Sequence, residues 1–158
     1  MEFIFRPLTP LDAEKIIGWQ YAKPYARYDG KTFKWYLQTH LLLPFLSPLL
    51  KNYHYAVDDE QGNLVGLFRF SKMPNNRLDI GIALRPDLTG HGNGLAFIQA
   101  GLAFGKEHYT PASFSLNVAA SNQRAIKVYT RAGFVRSGVM PSINFPSIEM
   151  VWEMRRNA

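Results

Sequence analysis

The stretch TGHGNGL, residues 89–95, puts glycine at three alternate positions, Gly90, Gly92 and Gly94. A strand-like run, RLDIGIALR (77–85), precedes it. A run with helical spacing, GNGLAFIQAGLAFGKEH (92–108), follows, and Leu95, Ile98 and Leu102 fall on one face of it. The first turn of a helix has backbone N–H groups without intrahelical partners and carries partial positive charge. That makes it an anion site. A Cβ at these positions would hold a pyrophosphate away from the amides, and glycine lets it approach. The other reading is a flexible strand-to-helix connection, or glycines that permit close helix–sheet packing. The stretch is no Walker A loop, because no Lys-Ser/Thr follows it. Its spacing also differs from G-x-G-x-x-G, and it does not follow the first strand of a βαβ unit.

Outward from the loop, EFIFR (2–6) alternates as a strand. Thr9, Pro10 and Asp12 read as an N-cap, a first-position proline and a first-turn acid of a helix running to about Tyr21. A second helix is expected from about Thr32 to the Leu41–Leu43 run, where Pro44 stops it. NYHYAVDD (52–59), NLVGLFRFS (63–71) and RLDIGIALR form an antiparallel meander separated by turn residues. SFSLNVA (113–119) is a strand. SNQRAIKVYTRAG (121–133) is a helix with a Ser121 cap and Gly133 just past its end. FVRSGVM (134–140) and SIEMVWEMR (147–155) complete the order β-α-α-β-β-β-α-β-α-β-β. This predicts one mixed α/β (α+β) domain over 1–158, with a mostly antiparallel sheet of about seven strands and helices on both faces.

The chain's 158 residues suffice for a core without disulfide or metal, and it contains no cysteine. Thiolate nucleophiles and Cys-ligated metals are excluded, and no metal site is expected. The start MEFIFRPLTP lacks the pattern of a signal peptide. The longest apolar run, HLLLPFLSPLL (40–50), is too short to span a bilayer and is interrupted by Pro44 and Pro48. A soluble, cytoplasmic protein without membrane association is therefore expected. The net charge is +6, but its basic residues are scattered, which suits a solvated surface or a field for an anionic ligand better than a nucleic-acid footprint.

The segment IALRPDLTGHGNGLAFIQAGLAF resembles the cofactor segment of the GCN5-related N-acetyltransferases (GNAT), where a strand and proline loop lead into Arg/Gln-x-x-Gly-x-Gly/Ala. Thr89 departs from the pattern, since the family usually has arginine or glutamine there; the amide cradle is unaffected. A second segment, LNVAASNQRAIKVYTRAGF (116–134), is similar to the family's Asn-x-x-Ala-x-x-x-Tyr-x-x-x-Gly-Phe, with Asn122, Ala125, Tyr129, Gly133 and Phe134 in place. The resemblance implies an acetyltransferase that moves acetyl from acetyl-CoA directly to a primary amine in a ternary complex. It implies that the fourth and fifth strands part and take the pantetheine arm along Ile82, Ala83 and Leu84. The pyrophosphate would lie on the segment Thr89, Gly90, His91, Gly92, Asn93, Gly94 and Leu95. Asn117, Asn122, Ala125 and Tyr129 would complete the coenzyme A site.

Tyr129 is the candidate acid: a phenol is protonated at neutral pH and can donate to the departing thiolate. The bland alternative is a core tyrosine. The amine acceptor arrives mostly as ammonium and needs a base. Asp79 on the fourth strand is the candidate, unless it pairs with Arg77 or Arg69; Glu149 on the last strand is a second. His91 lies too near the phosphates. A strand N–H near Ile82 could stabilise the oxyanion. For the acceptor, GWQYAKPYARYDG (18–30) clusters Trp19, Tyr21, Tyr25 and Tyr28 beside Asp29, and MPSINFPS (140–147) could form a further wall with Glu149. The same aromatics could simply cover the sheet. The acceptor is a small-molecule or protein amine, and the chain a monomer or homodimer. Two other functions compete: an acyl-CoA-binding module without chemistry, and a nucleic-acid binder.

Overall fold

The structure, a computed structural model, describes residues 1–28, 53–141 and 150–158. The expected second helix at 32–43 lies outside them. The described elements are β1 (Ile4–Pro7), α1 (Pro10–Ile17), β2 (His54–Asp58), β3 (Leu64–Met73), β4 (Arg77–Leu84), α2 (Asn93–Tyr109), β5 (Ser113–Ala119), α3 (Gln123–Arg131), β6 (Val135–Pro141) and β7 (Met150–Asn157), with short 3₁₀ turns at Tyr25–Tyr28 and Pro86–Leu88. The seven strands form one sheet in the order β1-β2-β3-β4-β5-β7-β6. β1/β2, β5/β7 and β6/β7 are antiparallel. β4 and β5 are parallel, because the chain returns from one to the other through α2. The mixed, mostly antiparallel seven-stranded sheet matches the sequence-based expectation.

Two ends were misplaced by the sequence reading. α1 stops at Ile17 rather than near Tyr21, because the Gly18 amide closes back onto the Glu14 and Lys15 carbonyls. α3 is capped by Asn122, not Ser121: the Asn122 Oδ1 accepts from the Ala125 amide at 3.2 Å. The start of α1 is as expected. Thr9 and Asp12 form a reciprocal capping box, with Pro10 at the first helical position.

The chain divides into two compact units. Met1–Phe68 with Ala83–Thr89 is one. Its core joins Leu8, Ala13 and Ile16 to Ala56 and Leu67, with Ile17, Trp19, Leu64 and Ala83 packed against them. A charged cluster lies in the same unit. The Arg6 guanidinium donates to both oxygens of Asp12, at 2.6 and 2.9 Å, and to both oxygens of Asp58, at 2.6 and 3.1 Å. Arg69–Ile82 with Gly90–Ala158 is the other unit. There α2 buries Phe97, Ile98 and Leu102, and Gly105 lets it settle on Phe70, Leu78 and Phe114. An added Cβ at Gly105 would stand 3.0 to 3.3 Å from those three side chains.

Candidate functional site

The parallel pairing of β4 with β5 covers only three positions, Arg77↔Ser113, Leu78↔Phe114 and Asp79↔Ser115. Beyond them β4 continues to Leu84 and β5 to Ala119, so the strands part after Asp79 and Ser115. β5 stays paired with β7 to Ala119, and the open edge is the one facing β4. Burial records the same break. Leu78 and Ile80 are buried, whereas the residues from Gly81 to Leu84 are half-buried on both faces of the strand. The Arg85 amide donates to the Val65 carbonyl, so main-chain groups of odd-numbered β4 residues turn toward β3. By alternation, those of Ile80, Ile82 and Leu84 turn to the open edge. Leu84 is the outermost of these, and its carbonyl accepts from the Tyr21 hydroxyl at 2.9 Å. Ala83 instead packs against the apolar core of the first unit.

The glycine loop follows a stiff lead-in. Arg85 clamps Asp87 through two donors and reaches the Leu64 carbonyl. The Arg85 guanidinium beside Asp87 holds that carboxyl below its usual range. The Thr89 hydroxyl donates to the Pro86 carbonyl at 2.7 Å. Thr89 thus tightens the turn with the hydroxyl that stands in place of the family's long polar side chain. Gly90 and Gly92 then adopt φ of +83° and +85°, the left-handed region that favours glycine. A Cβ on either would meet no atom within 4 Å, so their need for glycine is conformational, and the space above them is open. Gly94 differs: its added Cβ would stand 3.2 Å from Val128 of α3. It serves the packing of α2 on α3, a helix–helix contact where the sequence reading had offered helix–sheet packing. Gly92 is the N-cap of α2 and makes no side-chain cap bond. Asn93 and Leu95 lie in that first turn, and His91 is exposed.

α3 is fixed at both ends, and the fixing explains the motif it carries. Asn122 caps the start. At the other end Gly133, with φ +90°, donates to the Thr130 carbonyl, and Phe134 donates to the Tyr129 carbonyl. This pair of bonds is a Schellman motif. Its hydrophobic contact is Phe134 on Tyr129 itself, ring centroids 6.3 Å apart at 61°. The residues that resemble a family signature are thus the caps of one short helix, arranged about Tyr129. Desolvation pushes the Tyr129 phenol up to about 12. Its hydroxyl makes no hydrogen bond among the described residues. Ala125 is half-buried one turn before Tyr129, and Asn117 is exposed on β5 opposite Glu153 of β7.

Asp79 is engaged on both oxygens. Arg69 donates to Oδ2 at 2.8 Å and Ser115 to Oδ1 at 2.8 Å. The pairing with Arg69 foreseen as the alternative is the one formed; Arg77 lies instead 3.9 Å from Glu153. Arg69 also donates to the Ser71 hydroxyl and lies across Gly81, where an added Cβ would stand 3.0 Å from its Nε. Ser115 was not singled out in the sequence. Its signal was a serine between Phe114 and Leu116, where it is 2% exposed.

Of the expected acceptor residues, Trp19 packs on the first unit's core, the sheet-covering role. Tyr21 holds Leu84, and Tyr25 is half-buried in the 3₁₀ turn that ends at Tyr28. Asp29 and Glu149, and with Glu149 most of the 140–147 loop, lie outside the described residues. No cluster of three His, Asp or Glu suited to a metal ion occurs among the described residues. No described helix is long and apolar enough to cross a membrane.

A family model described as an acetyltransferase (GNAT) domain matches residues 2–135. No curated protein sequence matches the chain. Among solved structures, a chimera of spermidine N-acetyltransferase SpeG from Vibrio cholerae is similar at a TM-score of 0.71 and 20% identity, covering 99% of this chain and 96% of that one. The Vibrio cholerae enzyme in complex with CoA and spermine is similar at 0.67 and 20% identity, covering 98% and 95%. Its dodecameric form is similar at 0.68 and 20% identity, covering 98% and 93%.

Proposed function

The chain belongs to the GNAT acetyltransferase family, and from that premise we propose that it transfers an acetyl group from acetyl-CoA directly to a primary amine. The observation that carries this reading is the parting of β4 from β5 after Asp79 and Ser115. The pantetheine arm, with its two amides, is about as long as four extended residues, roughly 14 Å. The open edge of β4 from Ile80 to Leu84 offers that length. Ile80 and Ile82 present the pairing groups, since the Leu84 carbonyl already serves Tyr21. The diphosphate fits the loop on the evidence of Gly90 and Gly92. Both hold a left-handed backbone under open space, beside a helix start with no side-chain cap. Gly92→Ala is expected to cost about 1 kcal/mol of stability for its positive φ and to weaken coenzyme A binding by about tenfold or more, read by thermal melting and calorimetry.

When bound, acetyl-CoA would supply a thioester: the ammonium first gives one proton to solvent, the amine nitrogen bonds to the acetyl carbon as the C–S bond breaks, the sulfur keeps the electron pair, and the second nitrogen proton is lost as the thiolate takes one up from solvent. The Ile80 amide, at the inner end of the open edge, is the donor for the thioester carbonyl oxygen. Tyr129 donates toward the sulfur. At about 12 its phenol lies well above an ordinary thiol near 8.5. Complete transfer of its proton is therefore uphill, and its contribution is a hydrogen bond to the departing sulfur.

In this reading Asp79 holds the strands rather than acting as the base. Its two oxygens accept from Arg69 of β3 and Ser115 of β5, which fixes the carboxylate between the strands. Asp79→Asn keeps the shape; its amide oxygen still accepts from Arg69 and its NH2 donates to the Ser115 hydroxyl, so it is expected to retain turnover within a few fold. Loss of a general base would lower it by about 10²–10⁴-fold. The similar Vibrio cholerae enzyme is a spermidine N-acetyltransferase, solved with CoA and spermine. A net charge of +6 repels such polycations. The acceptor proposed is accordingly a primary amine of low charge, on a small molecule or a protein terminus. Thiol release from acetyl-CoA across a panel spanning monoamines, polyamines and peptide α-amines tests this. Release with monoamines or α-amines supports the reading, and release with none of the panel overturns it.

A further inference from the structure

The parting strands define a slot within the second unit, and its inner end is closed on three sides. Straight ahead, β4 and β5 meet at the Asp79↔Ser115 pair, reinforced by the 2.8 Å bond between their side chains. On one face of β4, Arg69 lies over Gly81 and is held there by Asp79 and Ser71. On the other face Leu78, Ile80, Phe114 and Leu116 are no more than 2% exposed. Leu78 and Phe114 are also packed against α2, where an added Cβ at Gly105 would stand 3.3 and 3.1 Å from them. A group that reaches this end along β4 from the glycine loop meets backbone ahead, a guanidinium above and a filled core below.

We infer that the Arg69–Asp79–Ser115 cluster sets the acyl length this chain accepts, and that it restricts the donor to acetyl-CoA. The inference rests on the acetyltransferase reading, because the coenzyme must enter from the glycine loop for the thioester to lie at the closed end. The selectivity is steric. Each methylene beyond acetyl must either displace the Arg69–Asp79 pair or force apart strands that are hydrogen-bonded. In apolar pockets one methylene changes discrimination by roughly 10–200-fold.

The test is binding, read by calorimetry with coenzyme A, acetyl-CoA, propionyl-CoA and butyryl-CoA on the full chain. The expected result is equal affinity for coenzyme A and acetyl-CoA, with a loss of at least about tenfold by butyryl-CoA. A double variant, Arg69→Ala with Asp79→Ala, removes both charges together and leaves neither buried alone. It is expected to narrow the butyryl-CoA gap to within a few fold. Should that variant fail to fold, the wild-type series decides by itself. Equal binding of acetyl-CoA and butyryl-CoA by the wild-type chain overturns the inference while leaving the acetyltransferase reading intact. Absence of binding for every one of the four overturns the acetyltransferase reading instead.

Discussion

Tyr129→Phe is expected to lower turnover by roughly 10²–10³-fold while leaving coenzyme A affinity and the melting temperature nearly unchanged. The separation of these effects follows from what each part of the residue does. The ring is the hydrophobic contact of the Schellman motif, resting on Phe134, and phenylalanine keeps it. The hydroxyl has no partner among the described residues, so its removal strands no buried donor. What is lost, on the proposed reading, is the hydrogen-bond donor to the leaving sulfur. Because desolvation pushes the phenol to about 12, the wild-type group stays protonated through the range where amines become nucleophilic. Turnover should therefore rise with pH as the acceptor loses its proton, with no fall below about pH 10 assignable to Tyr129. A fall centred near pH 8 to 9 that disappears in the phenylalanine variant would contradict this assignment.

The largest stability effect is expected at Arg6. Arg6→Leu leaves Asp12 and Asp58 facing each other with side chains only 6% and 13% exposed. Removing one partner of a buried charge pair costs about 3–5 kcal/mol. Arg6 itself is 35% exposed, so solvent screening places the expected cost near the lower end, about 3 kcal/mol. For a chain of this size the midpoint should fall by roughly 10 °C. Burial raises the Asp12 carboxyl, but the Arg6 guanidinium and the Thr9 hydroxyl and amide outweigh it and hold it near 2, against 3.8 as the ordinary value. A depressed carboxylate stabilises the fold above its unfolded pKa. That contribution is complete above about pH 4 and is lost as the pH falls toward 2. The difference between wild type and Arg6→Leu should accordingly shrink across that window, as followed by urea unfolding at stepped pH. A difference that is constant from pH 5 to pH 2 would show that the cluster contributes by packing alone.

The sequence was most legible where one interaction decides the local structure. Thr9 and Asp12 announced α1 because a capping box is read from two residues. β5 fell where its apolar alternation put it. The readings the sequence left with alternatives depend on partners far along the chain. Gly94 looked like the third member of a phosphate cradle, and only its contact with Val128, in a different helix, shows that it makes room for packing. Asp79 looked like a base because nothing local reveals that Arg69 and Ser115 converge on it. Trp19 looked like a pocket wall, yet it belongs to a core assembled from β2 and β3. The motif around Tyr129 was read by likeness to a family. Asn122, Gly133 and Phe134 also have a plain physical reason, since they begin and end the helix that carries the phenol.

Equilibrium dialysis of coenzyme A against the wild-type chain and against Gly92→Ala addresses the central claim most directly, because it asks whether the parted strands and the left-handed glycines hold that molecule at all. One equivalent bound by the wild type, with affinity reduced about tenfold or more in the folded variant, is the expected result. Retention of no coenzyme A by the folded wild-type protein, or equal retention by both, would contradict the account.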